Sequence, residues 1–314
     1  MTSGTGMGKF VLGTRGSALA LAQTELTRAA LNAAFPGIAV EVKTFTTRGD
    51  KKLDLSLLRA NEAGGKGLFT KELEDELLSG DIDVAVHSLK DLPGQNPEGL
   101  QLTAVLERAA TADVLVSKMA GGLDGLPKGA RVGTSSVRRA RHLKWLRPDL
   151  VIEEWRGNVQ TRLRKLGEAE GVAGIVLAQA GLERLGFSWP TGELEFEALR
   201  LQVTSLADRL LPAIGQGAIA LQSRKNDERV NAVLAAVNHQ PTLLVVRAER
   251  ELQRLLAGDC TLPVGVRCTI EGERLRMRAI LFGAEGEAPR EAEATGDVTS
   301  PEMVAADVFA GLSR

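Results

Sequence analysis

Two hydrophobic periods divide this chain. From Phe10 to Leu221, short apolar runs alternate with segments whose apolar positions recur at helical spacing; from Val264 onward, a strict every-other-residue pattern takes over. Phe10–Leu12 reads as a strand ending in Gly13-Thr14-Arg15-Gly16-Ser17. Leu19, Ala22, Leu26, Ala29 and Ala33 then predict a helix with Ser17 as its N-cap. Val40–Thr46 is a second strand. The stretch from Thr47 to Lys66 is polar and aperiodic, with Gly64-Gly65-Lys66-Gly67 at its end, the composition of a loop or lid. Phe69, Leu73 and Leu77 lie one turn apart in a helix over Leu68 to Leu78, which Gly80 stops. Ile82–Val86 is a buried strand that delivers His87-Ser88-Leu89-Lys90-Asp91-Leu92-Pro93 to its C-terminal end.

Val114–Val116 is a further strand, and residues from Arg131 onward supply strand, helix, strand and helix. Gly174–Ala178 (strand) and Gln179–Leu185 (helix) follow. This repeated strand–helix order predicts an α/β fold with mostly parallel sheets. Ala213-Ile214-Gly215-Gln216-Gly217-Ala218 is a turn into the apolar Ala218–Leu221, and Glu228–Val237 and Thr242–Leu256 are helices. Val264, Val266, Cys268 and Ile270 alternate, as do Leu275, Met277, Ala279 and Leu281. With Glu271-Gly272-Glu273 between them they predict an antiparallel hairpin. Arg290–Val298 adds a strand and Ser300-Pro301 starts a last helix, so the final seventy-odd residues read as a separate α+β domain. No internal repeat is visible.

Composition narrows the function classes. A chain of 314 residues holds two or three domains. Its 44% hydrophobic and 25% charged residues are those of a globular protein. A net charge of −1 argues against a nucleic-acid binder held by bulk electrostatics. No apolar run has the length of a membrane span. The opening MTSGTGMGKF lacks the basic-then-apolar pattern of a signal peptide, so a cytoplasmic enzyme or binding protein is expected. The two cysteines cannot form a disulfide framework.

Against that near-neutral background, the stretch from Arg131 to Arg164 carries eight arginines. In Gly133-Thr134-Ser135-Ser136-Val137-Arg138-Arg139, an apolar run meets a hydroxyl cluster and then two arginines in the first turns of a helix. In Trp155-Arg156-Gly157-Asn158, a second strand meets a helix cap, with Arg162 one turn later. Helix starts offer free N–H groups to an anion, and guanidinium forks grip carboxylates or phosphates bidentately. Together they predict one anion pocket; the alternative is a solvated basic helix face. Asp91 beside Lys90 is a candidate to stabilise a developing cation or to move a proton, the alternative being a surface Asp–Lys pair. His87, at the edge of an apolar strand, is better explained as a hydrogen-bonded structural histidine than as a base. Cys268 falls on the buried face of its strand, a structural position. Cys260, in a loop past a helix end, is either a reactive thiol or an inert one, and the neighbouring Asp259 disfavours its thiolate.

Nine segments together resemble the porphobilinogen deaminase (hydroxymethylbilane synthase) family. They are Thr14-Arg15-Gly16-Ser17, Thr47-Arg48-Gly49-Asp50, Gly64 to Phe69, His87 to Pro93, Gly133 to Arg139, Arg156-Gly157-Asn158-Val159, Ala180 to Gly186, Ile214 to Ala218, and Cys260 before Pro263. They stand in the family's order from residue 10 to 270. One departure is Gly258-Asp259-Cys260, where the family usually has Gly-Gly-Cys.

The resemblance implies two α/β domains like those of periplasmic binding proteins flanking a cleft, plus a small C-terminal α+β domain with an antiparallel sheet. The boundaries are expected at 1–107 with 216–238, at 108–215, and at 239–314. It implies a dipyrromethane cofactor joined through a thioether to Cys260, onto which four porphobilinogen molecules are condensed with loss of ammonia. Asp91 would be the catalytic carboxylate. Ser88, Lys90, Asp91, Thr134, Ser135, Ser136, Arg138, Arg139, Arg156, Gly157, Asn158 and Gly217 would hold the cofactor. Arg15, Ser17, Arg156, Arg162, Arg184 and Gln216 would bind substrate, and Arg48, Asp50, Lys66 and Phe69 would belong to a lid. No metal, nucleic acid or membrane is expected, and the chain is expected to be a monomer. The rival from another class is a binding protein for an anionic ligand, with the same cleft and no catalysis, which has no use for Cys260.

Overall fold

The computed structural model describes residues 9–46, 70–256, 262–284 and 286–313. Their strands form three sheets. The first is built from β1 (Phe10–Arg15), β2 (Val40–Phe45), β3 (Val84–Ser88) and β4 (Leu100–Val105). They are joined by β11 (Ile219–Arg224) in the order β2-β1-β3-β11-β4. The second contains β5 (Asp113–Ser117), β6 (Arg131–Gly133), β7 (Val151–Glu153), β8 (Val172–Ala178), β9 (Glu193–Phe196) and β10 (Leu199–Ser205). Their order is β7-β6-β8-β5-β10-β9. The third is the meander β12 (Val264–Glu271), β13 (Arg274–Leu281) and β14 (Arg290–Asp297).

The first two sheets share one plan. A strand delivered by a crossover between domains, β11 in one and β5 in the other, enters beside the third strand of a βα run. That entry corrects the expectation of mostly parallel sheets. β1 pairs parallel with β2 and β3, and β6 with β7 and β8. β11, in contrast, is antiparallel to β3 and β4, and β5 to β8 and β10. A helical return over the sheet is what makes neighbours parallel, and the crossover strands have none. The strands at 100–105, 193–196 and 199–205, which the sequence reading passed over, fill the edges on the antiparallel side.

Helices α1 (Ala18–Ala34), α2 (Lys71–Ser79) and α6 (Glu228–Val237) cover the first sheet, and α3 (Val137–Leu146), α4 (Val159–Glu168) and α5 (Gln179–Arg184) lie with the second. Leu12, Leu31, Val84, Leu221, Val230 and Leu234 are wholly buried in one core, and Val116, Leu163, Leu166, Ile175 and Leu182 in the other. Each contributes about 1.5–3 kcal/mol. Helices α7 (Gln240–Leu255) and α8 (Pro301–Leu312) pack on the third sheet around Leu252, Val266, Met277, Ala305 and Val308, with Cys268 in that core. Val246 of α7 also packs with Leu89 and Leu92, which anchors the third domain to the first.

Because β1 and β3 run parallel, as do β6 and β7, their C-terminal ends share an edge within each sheet. There the chain turns into a helix or a short helical turn, and there the candidate residues lie.

Candidate active site

On the first domain's side, Arg15 ends β1 and the Ser17 hydroxyl caps α1, accepting from Ala20 N (3.3 Å). Ser88 ends β3 and shares hydrogen bonds with the buried Gln23 of α1 (2.9 and 3.0 Å). Beyond it, Leu89–Asp91 forms one 3₁₀ turn, docked by the bond from Leu89 N to Ala218 O. Arg15, Ser17, Gln23, His87, Ser88 and Asp91 line one small polar recess. His87 points into the protein: its Nε2 meets Gln222 Oε1 at 2.9 Å, and burial lowers its pKa to about 4. It is therefore a neutral structural histidine at physiological pH.

On the second domain's side, β6 ends at Gly133, where a Cβ would come within 2.7 Å of the Trp155 ring. The absence of a side chain lets Trp155 cover the strand end, and its indole donates to Arg162 O (3.2 Å). Thr134, Ser135 and Ser136 hold the turn. Thr134 Oγ1 accepts from Ser136 N, Ser135 Oγ donates to Trp155 O (2.6 Å), and Ser136 caps α3. Asn158 caps α4, and Gly157 before it adopts φ +118°, a conformation that favours glycine. Each side-chain cap is worth about 1 kcal/mol, so the residues nearest the strand ends also fix the helix starts.

The arginines fall into two groups. Arg138 and Arg139 are buried around Asp113, the first residue of β5. Arg139 donates to Asp113 Oδ1 through Nε (3.1 Å) and Nη2 (2.7 Å), and to Val176 O through Nη1. Arg138 Nη1 donates to Leu211 O and forms an ion pair at 2.7 Å with Asp113 Oδ2, close in distance but not aligned as a hydrogen bond. Arg156, Arg162 and Arg184 keep part of their surface exposed. Arg156 pairs with the exposed Glu154, Arg162 Nε donates to Gly157 O, and Arg184 Nη2 donates to Gly217 O.

Electrostatics joins the two sides. Burial, with Arg139 and Arg162 nearby, lowers the Lys90 pKa to about 8, although Asp91 and Asp113 oppose the shift. Burial and the charges of Arg139 and Arg156 lower Arg162 to about 10, opposed by Asp91. Lys90, Asp91, Arg139, Arg156 and Arg162 are thus one interacting cluster across the two domains, and its cations repel one another. Arg138 Nε and Arg184 Nε are buried without a hydrogen-bond partner among the described residues. A ligand with several carboxylates fits that donor set, because it supplies both the missing acceptors and the missing negative charge.

Gln216, expected to face a substrate, is almost fully buried; its amide donates to Thr111 O (2.7 Å) and Asp113 Oδ1 (2.9 Å). Gly217, at φ +85°, lies against the first crossover. Arg48, Asp50, Lys66, Phe69 and Cys260 lie outside the described residues. Sequence reasoning missed Asp113, Gln23 and Glu249. The signal for Asp113 was available, since an aspartate opening an apolar strand must find a buried partner. Glu249 had no comparable signal on its helix.

Residues 10–232 match the family model described as porphobilinogen deaminase, dipyromethane cofactor binding domain, and residues 243–313 match the porphobilinogen deaminase C-terminal domain. The chain belongs to the porphobilinogen deaminase family. A porphobilinogen deaminase of Syntrophomonas wolfei is 43% identical over 291 residues, 93% of this chain and 90% of that protein. The Rubrobacter xylanophilus protein of the same name is 43% identical over 305 residues, 97% and 94% of the two chains. Family membership accounts for the union of two cationic strand-end clusters with a small third domain.

Proposed function

We propose that this chain is a hydroxymethylbilane synthase, a transferase of tetrapyrrole biosynthesis. It condenses four porphobilinogen molecules head to tail, releasing one ammonia at each step, on a covalently held dipyrromethane. The observation that carries the reading is that Lys90 and Arg162 lie close to Asp91, with Arg139 beside both of them and Arg156 beside Arg162. Each pyrrole unit brings an acetate and a propionate, so a growing chain needs many fixed cations and few fixed anions. Cys260 is the proposed attachment point, and Ser88, Lys90, Thr134, Ser135, Ser136, Arg138, Arg139, Arg156, Gly157, Asn158 and Gly217 are proposed to hold the cofactor's carboxylates. When bound, the cofactor supplies the nucleophilic pyrrole carbon for the first condensation. Arg15, Ser17, Arg156, Arg162, Arg184 and Gln216 are assigned to the substrate's carboxylates or to shaping their pocket. Arg48, Asp50, Lys66 and Phe69 are assigned to a covering segment.

In this reading Asp91 does the electrostatic and proton work. Loss of ammonia from porphobilinogen leaves positive charge spread to the pyrrole nitrogen, and a carboxylate accepting that N–H stabilises it. The C–C bond then forms, and the ring carbon that attacked loses its proton, for which Asp91 is the carrier. A monomeric, cytoplasmic protein divided at 1–107 with 216–238, 108–215 and 239–314 completes the proposal. Intact-mass measurement of the parent and of Cys260→Ser tests it. The parent is expected to exceed its sequence mass by two deaminated porphobilinogen units, and the variant is not. If the parent, incubated with porphobilinogen, gained no adduct and released no ammonia, an anion-binding protein would replace the enzyme.

A further inference from the structure

Asp113 has no part in the scheme above, yet both buried arginines of the cofactor side, Arg138 and Arg139, are held on it. Its side chain is fully buried at the start of β5, directly after the first crossover between domains. Oδ1 accepts from Arg139 twice and from Gln216 once, and Oδ2 is paired with Arg138. Gln216 belongs to the second crossover and also grips Thr111 of the first. One carboxylate therefore joins two arginines of α3 to both connections between the first two sheets. A guanidinium has five N–H donors. Arg139 spends three of them on Asp113 and Val176, and these bonds fix the plane in which its other donors lie.

We propose that Asp113 is a positioning residue of the anion site: it aims Arg138 and Arg139 at the cofactor's carboxylates and, through Gln216, ties that aim to the domain crossovers. The inference rests on the reading of the cleft as a dipyrromethane site. It runs against simple charge counting. Removing a buried carboxylate makes a polyanion site more positive, which by itself strengthens attraction for the ligand. Removing a positioning group weakens it, because two guanidiniums without their shared acceptor turn toward other oxygens.

The experiment follows the mass gain of apo protein incubated with porphobilinogen, well below each protein's melting temperature. It uses the parent, Asp113→Asn (charge removed, shape kept) and Asp113→Glu (charge kept, carboxylate displaced by one methylene). Both variants are expected to load at least about tenfold more slowly than the parent, the scale of loss that follows a small misplacement of binding groups. The concentration of porphobilinogen giving half the maximal loading rate is expected to rise. A purely structural role lowers the melting temperature and leaves both loading parameters at parental values, which overturns the inference. Loading of Asp113→Asn at or above the parent's rate overturns it in favour of charge counting. Gln216→Met is the second variant and stands in if the Asp113 variants do not fold. It is expected to slow loading, and to add little on top of Asp113→Asn because both act through one network. Parental loading by Gln216→Met removes the link to the crossovers. A parent that gains no mass overturns the reading of the cleft itself, and this inference with it.

Discussion

Replacing Lys90 by methionine is expected to make the apo protein more stable while crippling cofactor loading. Lys90 carries its charge at a cost, since burial and the neighbouring arginines hold its pKa at about 8 against an ordinary 10.5. That difference corresponds to about 3 kcal/mol opposing folding at neutral pH. Part of the side chain remains exposed, so solvent screening brings the figure to about 1–3 kcal/mol. The sign is fixed by which state binds more protons. Below pH 8 the lysine is charged in both states and the full penalty acts. Between pH 8 and 10.5 the folded side chain gives up its proton while the unfolded one keeps it, and the penalty fades; above 10.5 it is gone. Urea unfolding of Cys260→Ser and of Cys260→Ser with Lys90→Met, from pH 7 to 11, measures this directly. The methionine protein is expected to lead by about 1–3 kcal/mol at pH 7, with the lead closing by pH 10.5. A less stable methionine protein at pH 7, or a lead unchanged at high pH, would refute the account of Lys90 as a charge that burial makes costly to keep.

Other perturbations probe the scaffold. Gly217→Ala would place a Cβ 2.5 Å from Ala109 O and 3.0 Å from Ala110 O at φ +85°. It is expected to cost about 3 kcal/mol or more in urea unfolding, because backbone cannot step aside. Glu249 is buried; it pairs with Arg108 (2.7 and 3.0 Å) and accepts from Gly215 N (2.7 Å). Glu249→Gln leaves Arg108 without its counter-charge, and a loss of about 3 kcal/mol is expected in thermal or urea melts. Burial lowers His87 to about 4 and His142 to about 3. Stability is therefore expected to fall as pH drops from 6.5 toward 4, where the unfolded chain takes up protons that the folded one refuses. His142→Leu, which also removes an Nε2 without a hydrogen-bond partner among the described residues, should make that fall shallower in melts across the same range.

Local signals in the sequence carried well. The alternation of β12 and β13, the helices α1 and α6, and the caps Ser17 and Asn158 depend on neighbours a few residues away, and all are found. The face expected for α1 is not the buried one, because Gln23, Thr24, Thr27 and Leu31 are buried while Leu26, Ala29 and Ala33 are exposed. Pairing direction was not legible, because it is decided by which domain a strand arrives from. The shared plan of the first two sheets was hidden for a related reason: strand order can be repeated without any repeat of side chains. At the site, residue type announced an affinity for anions. It did not announce that Arg138 and Arg139 are buried on Asp113, more than twenty positions away in the chain. Gln216 illustrates the same limit, as its glycine-flanked turn suggested a residue presented to a ligand and gave no hint of the contacts with Thr111 and Asp113.

The position of β11 has a consequence for how the protein is made. This strand lies between β3 and β4, inside the first sheet, but the ribosome reaches Ile219 only after every strand of the second sheet has been synthesised. Until Ile219 is made, the facing flanks of β3 and β4 lack the strand that pairs with both, while the chain for the second sheet is already complete. Completion of the second sheet before the first is the expected order, and the interval lasts at least as long as translation of residues 106 to 224. Slow decoding within that span prolongs the exposure of an unfinished sheet, the state from which strand-edge aggregation starts.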